Sequence, residues 1–212
     1  MRVAAFIPAR YDSSRLKGKP LADICGKPML WWVYSRVKQC RNIDAVYAAT
    51  DSEEIRQICE RENIPCLMTS RDHPTSTQRL YEASQSVEAD VYVCVNGDEP
   101  LIEPSIVEQV IPREDTAFFA ANLMTKIHSP VEAVDDTNIK VVTAADGSAL
   151  FMSRSPIPHP RPASPLITIS IWGYWPIRRK RCAFLPRRPR DRWRPSKTST
   201  SCGSLSMGKN CR

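Results

Sequence analysis

Four short apolar runs dominate the first half of the chain: VAAF at positions 3–6, AVYAAT at Ala45–Thr50, Ile64–Met68, and the stretch Asp90–Val95 with VYVCV at its centre. Each is too short for a helix and has nearly continuous apolar character, the signature of a strand buried on both faces. Helix-patterned stretches separate them. In Met29–Cys40 the residues Leu30, Val33, Tyr34 and Val37 recur at helical spacing; Asp51–Arg61 begins with Asp51 or Ser52 as an N-cap; Gln78–Ser86 is a third helix. Strands alternating with helices in this way predict an α/β fold whose parallel sheet is covered on both faces.

The pattern changes after residue 100. Glu103–Val110 reads as a helix and Thr116–Met124 as an apolar strand. Thr137–Thr143 and Ser148–Ser153 form a hairpin around Asp146-Gly147, so the sheet is expected to turn partly antiparallel there. Proline-rich Ser155–Pro165 suits a loop or lid, and Ile167–Tyr174 is one more strand.

With 212 residues the chain can bury a sizeable core without disulfides. Its eight cysteines show no paired CxxC spacing, which favours reduced thiols, several of them buried, Cys94 among these. No stretch reads as an export signal or approaches bilayer-spanning length, so a cytoplasmic protein with no membrane partner is expected. His73, His128 and His159 lack ligand spacing and read as structural or surface residues.

Two loops are candidates for the chemistry. The first strand runs directly into Arg10, Arg15, Lys17 and Lys19, with Ser13, Ser14 and Gly18 between them. Guanidinium groups grip phosphate oxygens bidentately and ammonium acts as a point charge, so four cations at a strand end can surround a polyphosphate. In open parallel sheets ligands collect beyond the carboxyl ends of strands. A solvated basic loop is the plain alternative. The fourth strand ends in Asn96-Gly97-Asp98-Glu99-Pro100, where two carboxylates could hold a hard cation such as magnesium, or where Asx and glycine simply make a turn. Trp31 and Trp32 fit core packing better than stacking on a base.

IPARYDSSRLKGKPL followed by DICGKPML resembles the nucleotide-binding signature of the sugar cytidylyltransferases, of the CMP-Kdo synthetase (3-deoxy-manno-octulosonate cytidylyltransferase) type. MTSRDHPTSTQRL, VCVNGDEPLI and NIKVVTAADGSALFMSR are similar to further motifs of that family, in the same order, and the likeness extends to about residue 175. It implies a Rossmann-like nucleotidyltransferase with a mixed, mostly parallel sheet and helices on both faces. It also implies transfer of a cytidylyl group from CTP to Kdo. By the resemblance, Arg10, Arg15 and Lys19, in the loop with Ala9 and Ser14, would hold the CTP phosphates. Asp98 would bind Mg²⁺, and Asn96, Arg79 and Arg154 would line the nucleotide and sugar pocket. Arg10, Lys19 and Asp98 would carry the catalysis, with no nucleophilic side chain needed. The family commonly dimerises, which makes a homodimer an expectation.

The chain departs from the family pattern at Lys17, where proline is usual, at Thr75-Ser76-Thr77 and at Asn96, where glutamine is usual. Thr168 stands where the family has a histidine toward the sugar, which leaves open a second acidic sugar such as a sialic-acid-like nonulosonate.

Residues 1–175 contain 18 Lys and Arg against 22 Asp and Glu, whereas 176–212 contain 12 against one. Such an end is either a nucleic-acid-binding tail or a segment never selected as protein. Aromatic residues are sparse there and no recognition motif occurs, which disfavours nucleic acid. Read one base out of frame, Pro189–Lys209 can spell PPGPLEAIEDIDLLRFIEHGK, a peptide similar to the PxPLExIE segment that the family carries at this point. A frameshift near residues 169–179 is therefore expected. It would leave 1–175 as a cytidylyltransferase domain incomplete at its C-terminal side, 176–212 as a disordered basic tail, a sheet with an exposed edge, and weak or no activity.

Overall fold

The computed structural model describes residues 1–12, 16–112, 120–157, 169–172 and 175–178. Strands β1 (Val3–Ala9), β4 (Ala45–Thr50), β5 (Cys66–Met68) and β6 (Val91–Cys94) pair in parallel, and β11 (Trp175–Arg178) joins them antiparallel, in the order β11-β6-β1-β4-β5. β2 (Asp23–Ile24) and β3 (Lys27–Pro28) form a small ribbon before helix α1 (Met29–Val37). Helix α2 (Glu53–Arg61) follows β4, α3 (Ser76–Gln85) follows β5, and α4 (Pro104–Glu108) follows β6. The predicted alternation is thus realised, with the starts of α2 and α3 set by capping side chains. Ser52, not Asp51, caps α2 by accepting from the Ile55 amide at 3.3 Å, and Thr75 caps α3.

β1 is the middle of the sheet and is buried on both sides. Because side chains alternate along a strand, Val3, Ala5, Ile7 and Ala9 pack under α1, α2 and α4 against Leu30, Val33, Val37, Ile55 and Val107. Ala4 and Phe6 face the other way and pack with Tyr92, Cys94, Leu80 and Ala83 beneath α3. Phe6 stacks between Tyr47 and Tyr92, its ring centroid 5.7 and 5.8 Å from theirs. Trp31 and Trp32 meet edge to face, and the Trp32 indole donates to the Ile24 carbonyl at 2.8 Å, so both serve packing.

The antiparallel strands do not continue this sheet. β7 (Leu123–Lys126), β8 (Lys140–Thr143), β9 (Ala149–Ser153) and β10 (Ile169–Trp172) make a separate sheet in the order β7-β10-β8-β9, and α5 (Pro130–Val134) precedes β8. The turn between β8 and β9 contains Gly147 at φ 84°, the left-handed geometry expected of Asp146-Gly147. β11 was not foreseen, because its residues fall at the start of the basic end. It pairs along β6 from Cys94 to Val91 and so lies on the outer side of that strand. The predicted disordered tail, apart from residues 176–178, and most of the Ser155–Pro165 loop lie outside the described residues, as do residues 116–119 of the Thr116–Met124 strand.

Candidate active site

The order β6-β1-β4-β5 places a topological switch point between β1 and β6, since the chain moves to one side of β1 through β4 and β5 and returns on the other side as β6. Loops leaving two such strands diverge and open a crevice at their carboxyl ends. The cation-rich loop leaves β1 there, and Asn96-Gly97-Asp98 leaves β6 beside it.

The first loop is closed on itself. The Gly18 amide donates to the Tyr11 carbonyl at 2.8 Å, and Gly18 adopts φ 66° with the Tyr11 ring 3.4 Å from the position of a β-carbon. Only glycine takes that backbone geometry without strain. The turn Lys19–Leu21 follows, with Pro20 buried, and aims the Lys19 ammonium at Asp98, Nζ to Oδ2 2.8 Å. Both side chains remain accessible, at 38 % and 51 % exposure, so incoming phosphate or metal can displace the contact. Ala9, the last residue of β1, is buried; Arg10 is half-buried and donates through Nη2 to the His73 carbonyl. Ser14 and Arg15 lie outside the described residues.

Gly97 explains how the second loop comes so close. A β-carbon on it would sit 2.9 Å from the Pro8 carbonyl oxygen, a clash with backbone that cannot swing aside. Asn96 donates to the Glu99 carboxylate at 3.0 Å, which ties the turn and leaves Asp98 as its outward carboxylate. Magnesium retains most of its waters and binds through one or two carboxylates plus substrate phosphates. A single accessible aspartate beside a loop that carries Arg10 and Lys19 fits that mode. Among the described residues no group of three or more potential metal ligands forms a protein cage.

The third wall is the segment from β5 to α3. Arg79 is fully buried: Nη2 pairs with Asp51 Oδ2 at 2.7 Å and Nη1 bonds the Thr69 hydroxyl, while Thr69 in turn bonds the Thr50 carbonyl. Asp51 and Thr69 lie just past the ends of β4 and β5, so one guanidinium ties both strand ends to α3. The Glu82 carboxylate accepts from the Ser70 amide at 2.9 Å and pairs with His73, and these bonds, the amide first, hold its pKa below the usual range. The same loop thereby offers its His73 carbonyl to Arg10.

Arg154 leaves the second sheet after β9, and its Nη1 donates to the Asp136 and Thr137 carbonyls at 2.6 and 3.4 Å. Of the predicted residues, then, Ala9, Arg10, Lys19, Asn96 and Asp98 gather at the ends of β1 and β6. Arg79 is withdrawn beneath the ends of β4 and β5, and Arg154 belongs to the antiparallel sheet. Sequence reasoning missed Asp51 as the counter-ion of Arg79 and Gly97 as a point of close approach. An acidic residue directly after a buried strand was the available signal for the first.

A cation-bearing loop faces a carboxylate across the switch point of a mixed α/β sheet, and comparison with known proteins identifies this architecture as the nucleotidyltransferase fold. The chain belongs to the cytidylyltransferase family, whose model matches residues 4–177. Its similarity lies with the 3-deoxy-manno-octulosonate cytidylyltransferases. That of Escherichia coli is 43 % identical over 175 residues, covering 82 % of this chain and 71 % of the relative. That of Nitratidesulfovibrio vulgaris (strain DP4) is 44 % identical over 159 residues, covering 73 % and 63 %. The solved structure of CMP:2-keto-3-deoxy-manno-octonic acid synthetase complexed with CTP superposes with a TM-score of 0.82 at 40 % identity, over 86 % of this chain and 76 % of that one. This chain thus spans about two thirds of the length of these two curated relatives.

Proposed function

We propose that this chain binds CTP with Mg²⁺ at the β1–β6 crevice and is built to transfer its cytidylyl group to an acidic sugar, Kdo, giving CMP-Kdo and pyrophosphate. The observation that carries this reading is the Lys19–Asp98 contact across the switch point, which sets an ammonium suited to phosphate beside a carboxylate suited to a hard cation. In the reaction the sugar hydroxyl oxygen attacks the α-phosphorus, the bond from that phosphorus to the bridging oxygen of the β-phosphate breaks, pyrophosphate leaves, and the hydroxyl proton passes to solvent water. Lys19, Arg10 and Arg15 would neutralise the triphosphate and the leaving pyrophosphate. Asp98 would hold Mg²⁺, which when bound supplies Lewis-acid stabilisation of the phosphoryl oxygens. Ala9, Ser14 and Asn96 would shape the nucleotide pocket. Arg154 would meet the sugar carboxylate. Arg79 would keep the strand ends in place beside that pocket.

Binding and turnover separate in this chain. The β1 and β6 loops are present, whereas residues 179–212 do not contain the PxPLExIE segment that the family carries there. Calorimetry should therefore detect Mg²⁺-dependent CTP binding that is lost in Asp98→Asn, while pyrophosphate release with CTP and Kdo should be weak. No CTP binding at all would refute the nucleotide assignment. Turnover equal to that of the Escherichia coli relative would refute the expected impairment. The bases encoding Ser196–Ser206 test the frameshift, since they must be able to spell IEDIDLLRFIE one position over. A panel of acidic sugars separates Kdo from a nonulosonate, and sedimentation checks for a homodimer in the cytoplasmic buffer range.

A further inference from the structure

Lys140 is fully buried, yet its ammonium faces main-chain carbonyls and not a carboxylate: Nζ lies 2.5 Å from Asp135 O, 3.1 Å from Asn138 O and 2.6 Å from Arg154 O. A buried ammonium is costly unless each of its three protons finds an acceptor, and here three acceptors are supplied. The intervening carbonyls, of Asp136 and Thr137, accept from the Arg154 guanidinium. Four successive carbonyls of the loop 135–138 are thus turned onto two cations, and one of these cations also holds the main chain of the other. The Asp135 side chain stiffens the same turn by accepting from the Thr137 amide and hydroxyl at 2.8 and 2.7 Å.

Lys140 pairs with Ser153 across the β8–β9 ladder, one residue before Arg154, so its ammonium fixes the point at which Arg154 leaves the sheet. We propose that Lys140 is a positioning residue that sets Arg154 for the anionic group of the second substrate, a sugar carboxylate. The proposal rests on the reading of Arg154 given under Proposed function.

The test uses the full chain, with the affinity for Kdo measured by calorimetry in the presence of Mg²⁺ and α,β-methylene-CTP. Lys140→Gln should weaken Kdo binding at least tenfold and leave the affinity for the nucleotide analogue within twofold. Arg154→Ala should weaken Kdo binding similarly, and the double variant should be no weaker than Arg154→Ala alone. Additive losses, or an unchanged Kdo affinity in Lys140→Gln, would overturn the proposal. Hydrogen exchange provides a readout independent of the sugar: Lys140→Gln should lose amide protection at 135–138 and 153–155 and retain it in β1 and β6. Unchanged protection there overturns the clamp. Unchanged Kdo affinity in Arg154→Ala, with the exchange result as expected, overturns the reading of Arg154 and with it the proposed role in substrate binding. Should Lys140→Gln fail to fold, Lys140→Met, which keeps the length of the side chain, takes its place with the same outcomes.

Discussion

Lys19 and Asp98 are 79 residues apart in sequence and 2.8 Å apart in space. The contact exists because β1 and β6 are neighbours in the sheet, so the loops that follow them share one crevice. Both side chains are half in water, and an exposed pair of this kind contributes at most about 1 kcal/mol. Lys19→Met and Asp98→Asn should therefore leave the thermal midpoint nearly unchanged while lowering the affinity for Mg·CTP tenfold or more. A large fall in the midpoint would show that the pair serves the fold instead.

Gly97→Ala should act on both stability and site. Its methyl group would approach the Pro8 carbonyl oxygen to 2.9 Å, so the turn must lift away from β1. Overpacking of this sort costs about 1–3 kcal/mol. Urea denaturation reads that loss, and CTP binding should weaken because Asp98 moves with the turn.

Breaking the Arg79–Asp51 pair should be far more damaging than breaking Lys19–Asp98. Arg79→Met would leave the Asp51 carboxylate, whose side chain is 17 % exposed, without its cation. Loss of one partner from a buried pair typically costs about 3–5 kcal/mol. The double variant Arg79→Met/Asp51→Leu should recover part of this, and a coupling energy near zero in the double-mutant cycle would refute the pairing.

Glu82 makes the loop before α3 sensitive to acid. Its carboxyl is held below the usual 4.5 by the Ser70 amide and then by His73. A depressed folded-state pKa contributes stability above the unfolded value, and that contribution is lost as pH falls through the folded value. The stability gap between the wild type and Glu82→Gln should accordingly be full at pH 7 and shrink below pH 4.5. A gap that stays constant through the acid range would show that the carboxylate charge is irrelevant.

The thiols should differ sharply in reactivity. Burial pushes both Cys40 and Cys94 up to about 12, whereas Cys25 is exposed. Thiolate is the reactive species. Mapping by mass spectrometry after brief alkylation at pH 7.5 should find Cys25 labelled, and Cys40 and Cys94 only after unfolding.

The local pattern of this chain settled much of the architecture. Runs such as AVYAAT can be satisfied only as strands buried on both faces, and Leu30, Val33 and Val37 only as the inner stripe of a helix, so the alternating α/β order followed from periodicity alone. The cations after β1 and the carboxylate after β6 were legible as candidate ligands for the same reason: charged residues at the ends of buried strands cannot enter the core. Long-range pairing decided the rest. The strand order put Lys19 against Asp98, the bond to Asp51 drew Arg79 into the interior, and the antiparallel strands closed a sheet of their own in which Lys140 holds Arg154. Those outcomes depend on which distant groups can meet in three dimensions and satisfy one another's charge and hydrogen bonds, and no one-dimensional pattern encodes that geometry.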